Sequence, residues 1–424
     1  MARQTFPGCD AVMLRRCAVL WVEHRQDVRF EPSAMASGGT GVVESLAWVA
    51  HAPHLPHPVA ISDAAMRLLG HIGPGSWVAD TAVSNAHTDA LDELLREGIA
   101  IAQGDQSAVA LADERLRASG WFAGAAVYHH ASRTQGLDAV ALLEEAGMRD
   151  AAMLPKRFGP APALRHPASE SSERVSLPVP GRTALDDWLD RRTVCRNFDT
   201  RASVDADTFS RILARVFGQR GRLAIAPGFE VIKRTSPSGG ALHPTECWLI
   251  VQRVTGIAPG LYHYDPMEHA LARVAPAARA PDPGDPLVSP APDGCDARWS
   301  EQALQAFARI ATCGQQWFAD AAVQCILAPR VARSFWKYRN HPRVYRVLLM
   351  DVGHLSQTLQ LCAMEEGLGS FVTGAINEAD IETAFGLDGL ADVPLAICGF
   401  GPRSAVRSRS ELDAATLARG NAGG

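Results

Sequence analysis

The most sustained apolar pattern lies at residues 345–366, where V-L-L-M, two further leucines and L-C-A-M leave almost no polar face. A helix that is apolar all round is buried. This segment therefore predicts a helix running through the centre of a domain or along a subunit interface. Strand and helix periods alternate around it. C-W-L-I-V-Q-R at 247–253 and V-P-L-A-I-C-G-F at 393–400 read as buried strands. G-L-Y-H-Y-D at 260–265 reads as a strand that turns at Asp265-Pro266. Helices are predicted at 183–189, where Thr183 and Asp186 form a capping box, at 205–217 and at 300–316. Both periods in mixed order give an α+β sandwich, a mixed sheet with helices on its faces.

The N-terminal part opens with a strand-like run at 11–24, followed by helical stretches at 62–69 and 87–97. G-I-A-I-A-Q-G-D at 98–105 then reads as a strand and turn. A helix that ends in glycine and feeds a short hairpin is the pattern of a winged helix. Prolines, serines and charges crowd together at 154–182, which marks a boundary. The expected organisation is a winged-helix-like domain over 1–155, a linker over 156–182 and a second domain over 183–424. Residues 275–294 read as a long surface loop inside that second domain. No internal repeat is present.

A net charge of −5 over 424 residues gives no basic footprint for nucleic acid. The presumed recognition helix sets Asp92, Glu93 and Glu97 against Arg96 alone, a poor match to phosphates. Peptide binding against the wing, by strand addition or groove docking, fits better, and a purely structural role fits as well. The basic stretch at 403–409 could bind a phosphate. The nine cysteines are odd in number and contain no C-x-x-C, which favours reduced thiols and a cytoplasmic protein. The apolar run at 18–22 is too short for a signal peptide, and no run reaches the length of a membrane span. His51, His54 and His57 are spaced by three, with prolines between them. A surface loop fits that segment better than a metal site.

Four separated segments carry the residues of an anionic cofactor site. They are R-R-T-V-C-R-N-F at 191–198, R-T-S-P-S-G-G-A-L-H-P at 234–244, G-L-G-S-F at 367–371 and G-F-G-P-R at 399–403. Each also has a plain structural reading. Paired arginines at a helix end answer the helix dipole, Pro-Ser-Gly-Gly makes a turn, and a glycine after a helix is a C-cap. Their order and company favour the cofactor. The 234–244 loop supplies a cation, hydroxyls and glycines that let main-chain N–H groups approach a ligand. Trp336-Lys337-Tyr338 sets an amine beside a phenol, a pair suited to moving protons.

Together with G-L-Y-H-Y-D-P and D-V-G-H-L-x-Q, these motifs occur in an order that resembles the nitroreductase superfamily. More closely, it resembles the SagB-type dehydrogenases, the azoline dehydrogenases of ribosomal peptide maturation. The resemblance covers about residues 185–403. It is weaker in the N-terminal part, where it rests on 91–105 and on Trp121 with Tyr128, His129 and His130.

The resemblance implies a nitroreductase-like fold and FMN held noncovalently at the interface of a homodimer. Arg191, Arg192 and Thr193 would meet the phosphate and ribityl chain. Arg234, Ser236, Ser238 and Gly239, with Gly240, would line the isoalloxazine and ribityl face. Gly369 and Ser370 would approach the ring from the other side, and Arg403 would reach the phosphate. Lys337 and Tyr338 match the family's catalytic acid/base pair. Two departures stand out. Cys195 is an extra residue before Arg196, so either Arg192 or Arg196 is the phosphate ligand. His243 stands where Tyr, Asn or Gln is commoner.

The implied reaction removes a ring proton and a hydride from an azoline in a precursor peptide, with possible partner proteins in a maturation complex. Tyr338 and Lys337 would take the proton, with Arg333 and Arg339 favouring the less positive form of each. The plain reading has Lys337 as a surface amine and Tyr338 packed on Trp336. Two other functions compete: an NAD(P)H-dependent nitroreductase-like flavin reductase, and a non-catalytic peptide-binding partner.

Overall fold

The computed structural model describes residues 11–36, 38–84, 88–166, 175–282 and 298–412. Cys9, Cys295, the start of the helix expected at 87 and parts of the expected linker and loop lie outside these residues. The chain divides into two compact units. The first comprises Met1–Arg133 and Val331–Tyr345, and the second Thr134–Arg330 and Arg346–Gly424. Residues 134–155, read from the sequence as part of the first domain, belong to the second unit, whereas 331–345 belong to the first.

The strands of the first unit are β1 (Met13–Arg16), β2 (Trp21–Phe30), β3 (Val42–His51), β4 (Val59–Ile61), β5 (Val78–Ala79) and β6 (Ala100–Ala102). They form two sheets, ordered β5-β1-β6 and β2-β3-β4. The single strand expected at 11–24 is therefore two strands in different sheets. Asp113, fully buried and held by Arg117 at 2.7 Å, captures the main-chain N–H of Ala18 at 2.6 Å and breaks the run. Leu68 and the Leu91/Leu94 pair, from helices Asp63–Leu69 and Thr88–Arg96, pack with Leu14, Ile72 and Ile99. Ser62 caps the first of these helices. Its N–H and hydroxyl donate to Glu93 at 2.7 and 2.6 Å, so this acid of the presumed recognition helix anchors the cap of another helix. After Gly98, β6 pairs with β1, and the chain then enters helix Ala108–Ser119; no hairpin follows.

His51 and His54 are buried, unlike residues of a surface loop. His51 Nε2 meets Glu23 at 3.2 Å and His54 Nε2 meets the Gly98 carbonyl at 2.9 Å. Among the described residues no group of three His, Cys, Asp or Glu side chains is placed to hold a metal.

The second unit contains the hairpin β7 (Gly221–Ala226) and β8 (Phe229–Lys233). Its main sheet is built from β9 (Thr245–Val251), β10 (Gly260–Asp265), β11 (Ala270–Val274), β12 (Val323–Pro329), β13 (Gly369–Thr373) and β14 (Ala396–Gly401). The sheet order is β11-β10-β9-β12-β14-β13, with every named pairing antiparallel. Among the described residues of this unit, parallel pairing occurs only in isolated bridges such as Val194 to Ser370.

The pleat separates two cores. Leu249, Val251, Cys325, Leu327 and Cys398 face helix Ala206–Val216 and the long helix Val344–Glu365, which presents Val352, Leu355, Leu359 and Ala363. Ile250, Ile326 and Ile397 face helix Glu301–Ala311, through Leu304, Phe307, Ala308 and Ala311. The result is a sheet sandwiched between helices. It places the ends of β13 and β14 and one side of the long helix beside the chain that follows helix Ala184–Arg191. Among the described residues no helix is long and apolar enough to cross a membrane.

Candidate functional site

The 191–198 segment leaves its helix and runs beside the start of β13. The Cys195 N–H donates to the Ser370 carbonyl at 2.8 Å, and Phe198 bridges to Arg403 beyond β14. The extra residue Cys195 is fully buried, and its thiol points at the Asn197 carbonyl. A Cβ at Gly369 would collide with the Cys195 sulfur, so that position must be glycine for the segments to approach this closely. The arginines then diverge. Arg191 lies over the Trp188 ring at 4.9 Å. Arg192 donates to Gln360 of the long helix at 3.1 Å. Arg196 is exposed, while its main-chain N–H points inward to Glu411 at 2.6 Å.

The 234–244 loop is fastened to the same long helix. Arg234 is buried and donates to the Thr245 carbonyl at 3.0 Å. The hydroxyls of Ser236 and Thr358 meet at 2.7 Å. Ser238 donates to Asp351 Oδ2 at 2.5 Å, and the Gly239 N–H to Oδ1 at 3.4 Å. Ser238 Oγ in turn accepts the His243 N–H at 3.0 Å. Burial raises the Asp351 carboxyl above its ordinary pKa, and the donors from Ser238 and Gly239 oppose that rise. The loop is left-handed at Gly240 (φ 66°), and also at Ala241 (φ 56°) and His243 (φ 45°), where side chains make it costly. Its contacts with Asp351 hold it in that shape. A Cβ at Gly239 would collide with Val347.

All the positions expected to hold a flavin therefore lie in the second unit. Lys337 and Tyr338 lie in the first, just beyond helix Val331–Phe335. The main-chain N–H groups of both donate to the Ser334 carbonyl, so they continue the helical turn. Lys337 is exposed, with Nζ 5.2 Å from the centre of the Tyr338 ring, and Tyr338 is half-buried. In the same unit Trp121 packs edge-on to Phe335, and His129 Nδ1 meets the Tyr345 hydroxyl at 3.2 Å.

Asp351, Asn197 and Glu411 were not singled out from the sequence. Asp351 stands in the D-V-G-H-L motif, and its position one helical face from Thr358 could have identified it. Asn197 and Glu411 had no such signal, because their contact joins residues more than 200 positions apart. Glu411 Oε1 accepts from the N–H groups of Arg196 and Asn197 and from Asn197 Nδ2, and Oε2 accepts from Arg403. Two main-chain N–H groups, a carboxamide and a guanidinium make an oxyanion-binding set. The residues present thus fit the phosphate end of FMN.

A family model described as the nitroreductase family matches residues 189–402, half of the chain. The chain belongs to the nitroreductase family. The trifolitoxin-processing protein TfxB of Rhizobium leguminosarum bv. trifolii is 31% identical over 160 residues, 38% of this chain and 37% of its own. The microcin B17-processing protein McbC of Escherichia coli is 26% identical over 209 residues, 48% of this chain and 65% of its own. The chain thus spans about a third and just under two-thirds of the lengths of these two relatives. The solved E. coli microcin synthetase McbBCD complex, with truncated pro-MccB17 bound, is similar with a TM-score of 0.47 at 21% identity. That likeness covers 67% of this chain and 93% of that one.

Proposed function

We propose that the protein is an FMN-dependent dehydrogenase of a ribosomally made precursor peptide, of the SagB type, oxidising an azoline to an azole. The observation that carries the flavin reading is the meeting of separated segments in the second unit. Residues 194–198, Gly369, Ser370 and Arg403 meet, and the long helix ties Arg192 and the 236–243 loop to itself through Gln360, Asp351 and Thr358. The peptide half of the reading is supported by the similarity to TfxB and McbC, both named as processing proteins.

The hydride acceptor would be supplied by FMN. Arg403 and the N–H groups of Arg196 and Asn197 would hold the phosphate. Arg234, Ser236, Ser238 and Gly239, shaped by Asp351, would face the ribityl chain and ring. Tyr338, with the Lys337 ammonium beside its ring, would take the proton lost from the azoline.

The homodimer expected for this fold is supported by the long helix. Leu349 and Met350 are 45% and 59% exposed, and with exposed Arg346, Gly353 and Gln357 they form one stripe. The first unit would hold the peptide, as a winged-helix-like domain without the hairpin wing. The ten-residue edge strand β2, with Trp21, Val28 and Phe30 exposed, offers main-chain groups for strand addition.

The deciding experiment is the visible spectrum of the purified protein, with release and identification of any chromophore. Flavin bands and stoichiometric FMN are expected. A colourless protein that takes up no added FMN would sink the reading. Lys337→Ala should then keep its flavin and lose at least about a hundredfold in turnover. Turnover like that of the parent would remove Lys337 from catalysis.

A further inference from the structure

Residues 404–412 fold back onto the residues assigned to the cofactor phosphate. Asn197 organises it. Its Oδ1 accepts from the N–H groups of Ser408 and Arg409, both at 2.9 Å, and its Nδ2 donates to the Arg409 carbonyl at 2.8 Å. This delivers Glu411, 8% exposed, into the oxyanion cradle. Glu411 Oε1 lies 2.6 Å from the Arg196 nitrogen, 3.1 Å from the Asn197 nitrogen and 2.9 Å from Asn197 Nδ2. Oε2 lies 2.8 Å from Arg403 Nη1. The neighbouring residues complete the engagement. Thr193 donates its hydroxyl to the Leu412 carbonyl at 2.8 Å, and Arg196 Nη1 donates to that of Ser410 at 3.2 Å. Thr193, Arg196 and Arg403 are thus all held by residues 410–412.

Burial opposes ionisation of Glu411, but the N–H, carboxamide and guanidinium donors outweigh it and hold its carboxyl below the ordinary range. The cradle favours a negative charge. A phosphomonoester presents the same kind of oxygens with more charge.

We propose that Glu411 is an internal stand-in for the flavin phosphate, and that residues 404–412 must release the cradle for FMN to load. The inference rests on the flavin reading above. A ligand whose site is filled by the protein's own chain binds more weakly, by the fraction of molecules in which the site is free. The competition acts on the phosphate alone, so riboflavin should not feel it.

The test uses the full chain and its Glu411→Gln and Glu411→Ala variants, titrated with FMN and with riboflavin. FMN should bind the variants at least about tenfold more tightly, with riboflavin unchanged. In the parent protein FMN, but not riboflavin, should speed tryptic cleavage after Arg407 and Arg409. Three results would each overturn the proposal: FMN affinity unchanged or lower in a folded variant, riboflavin gaining by the same factor, or FMN protecting Arg407 and Arg409. The last would mean that the segment closes over the cofactor instead of yielding to it. If no flavin binds any form, the flavin reading fails, and thermal melts with inorganic phosphate decide the rest. Stabilisation of Glu411→Ala but not of the parent would support the competition, and no shift in either would end it.

Discussion

Asp351 fastens the 234–244 loop from outside it, through Ser238 and Gly239. Ala241 and His243 hold left-handed backbone that costs about 1–3 kcal/mol each, and such strain persists only where surrounding contacts fix it. The bonds from Ser238 and Gly239 to Asp351 are those contacts. Asp351→Asn keeps the size of the side chain but removes the charge that both donors face. Hydrogen bonds to charged groups contribute about 1.5–3 kcal/mol, so FMN binding should weaken by about tenfold or more. Burial disfavours the Asp351 charge, so the same variant should melt no lower than the parent. Flavin titration beside a thermal melt checks both, and parental affinity would remove Asp351 from the site. At this scale the sequence offered Arg234, Ser236, Ser238 and Gly239 as candidates through one short motif. It was silent on Glu411, whose role exists only because the chain returns to Asn197.

Among the elements, the strand that the apolar pattern hid is β12, at the middle of the main sheet. All of its residues are buried, so it lacks the alternation that marks a half-exposed strand. The pattern before it read as a helix through residue 316, but the helix stops at Ala311. Cys313 and Gly314 turn left-handed there, and a Cβ on Gly314 would collide with the Asp138 carboxylate. The long helix was legible because its pattern is extreme, although the pattern left open whether it lay inside a domain or at an interface. Its inner face packs on the sheet, whereas Leu349 and Met350 remain exposed. Burying side chains of that kind contributes roughly 1.5–3 kcal/mol each. The Leu349→Asp, Met350→Asp double variant should therefore be monomeric by light scattering while keeping its secondary structure. A variant that stays dimeric, or a parent that is already monomeric, would show that this stripe is not the subunit interface.

For the molecule as a whole, the pattern led to the expectation of two domains and carried no sign of where the chain passes between the two units. Thr134 was read as part of the first, yet its N–H and hydroxyl bind Glu378, and Asn377 clamps Leu137 from both sides. Contacts across 240 positions leave no local trace. The two units should also answer acid differently. In the first, burial, aided by Arg133, lowers the His130 pKa from 6.5 to about 4, and His54 is lowered the same way. As pH falls from 6.5 towards 4, the unfolded chain takes up protons that these folded imidazoles refuse, so the first unit loses stability throughout that window. In the second, Glu411 has a depressed pKa, so its contribution is intact above 4.5 and declines only below that. Asp351, with its pKa raised, gains stability relative to the unfolded chain as pH falls. Hydrogen exchange from pH 7.5 to 4.5 should therefore show the first unit opening before the second, and His130→Gln should flatten that trend. If the second unit opened first, or the His130→Gln profile matched the parent's, the acid response would lie with groups other than His130.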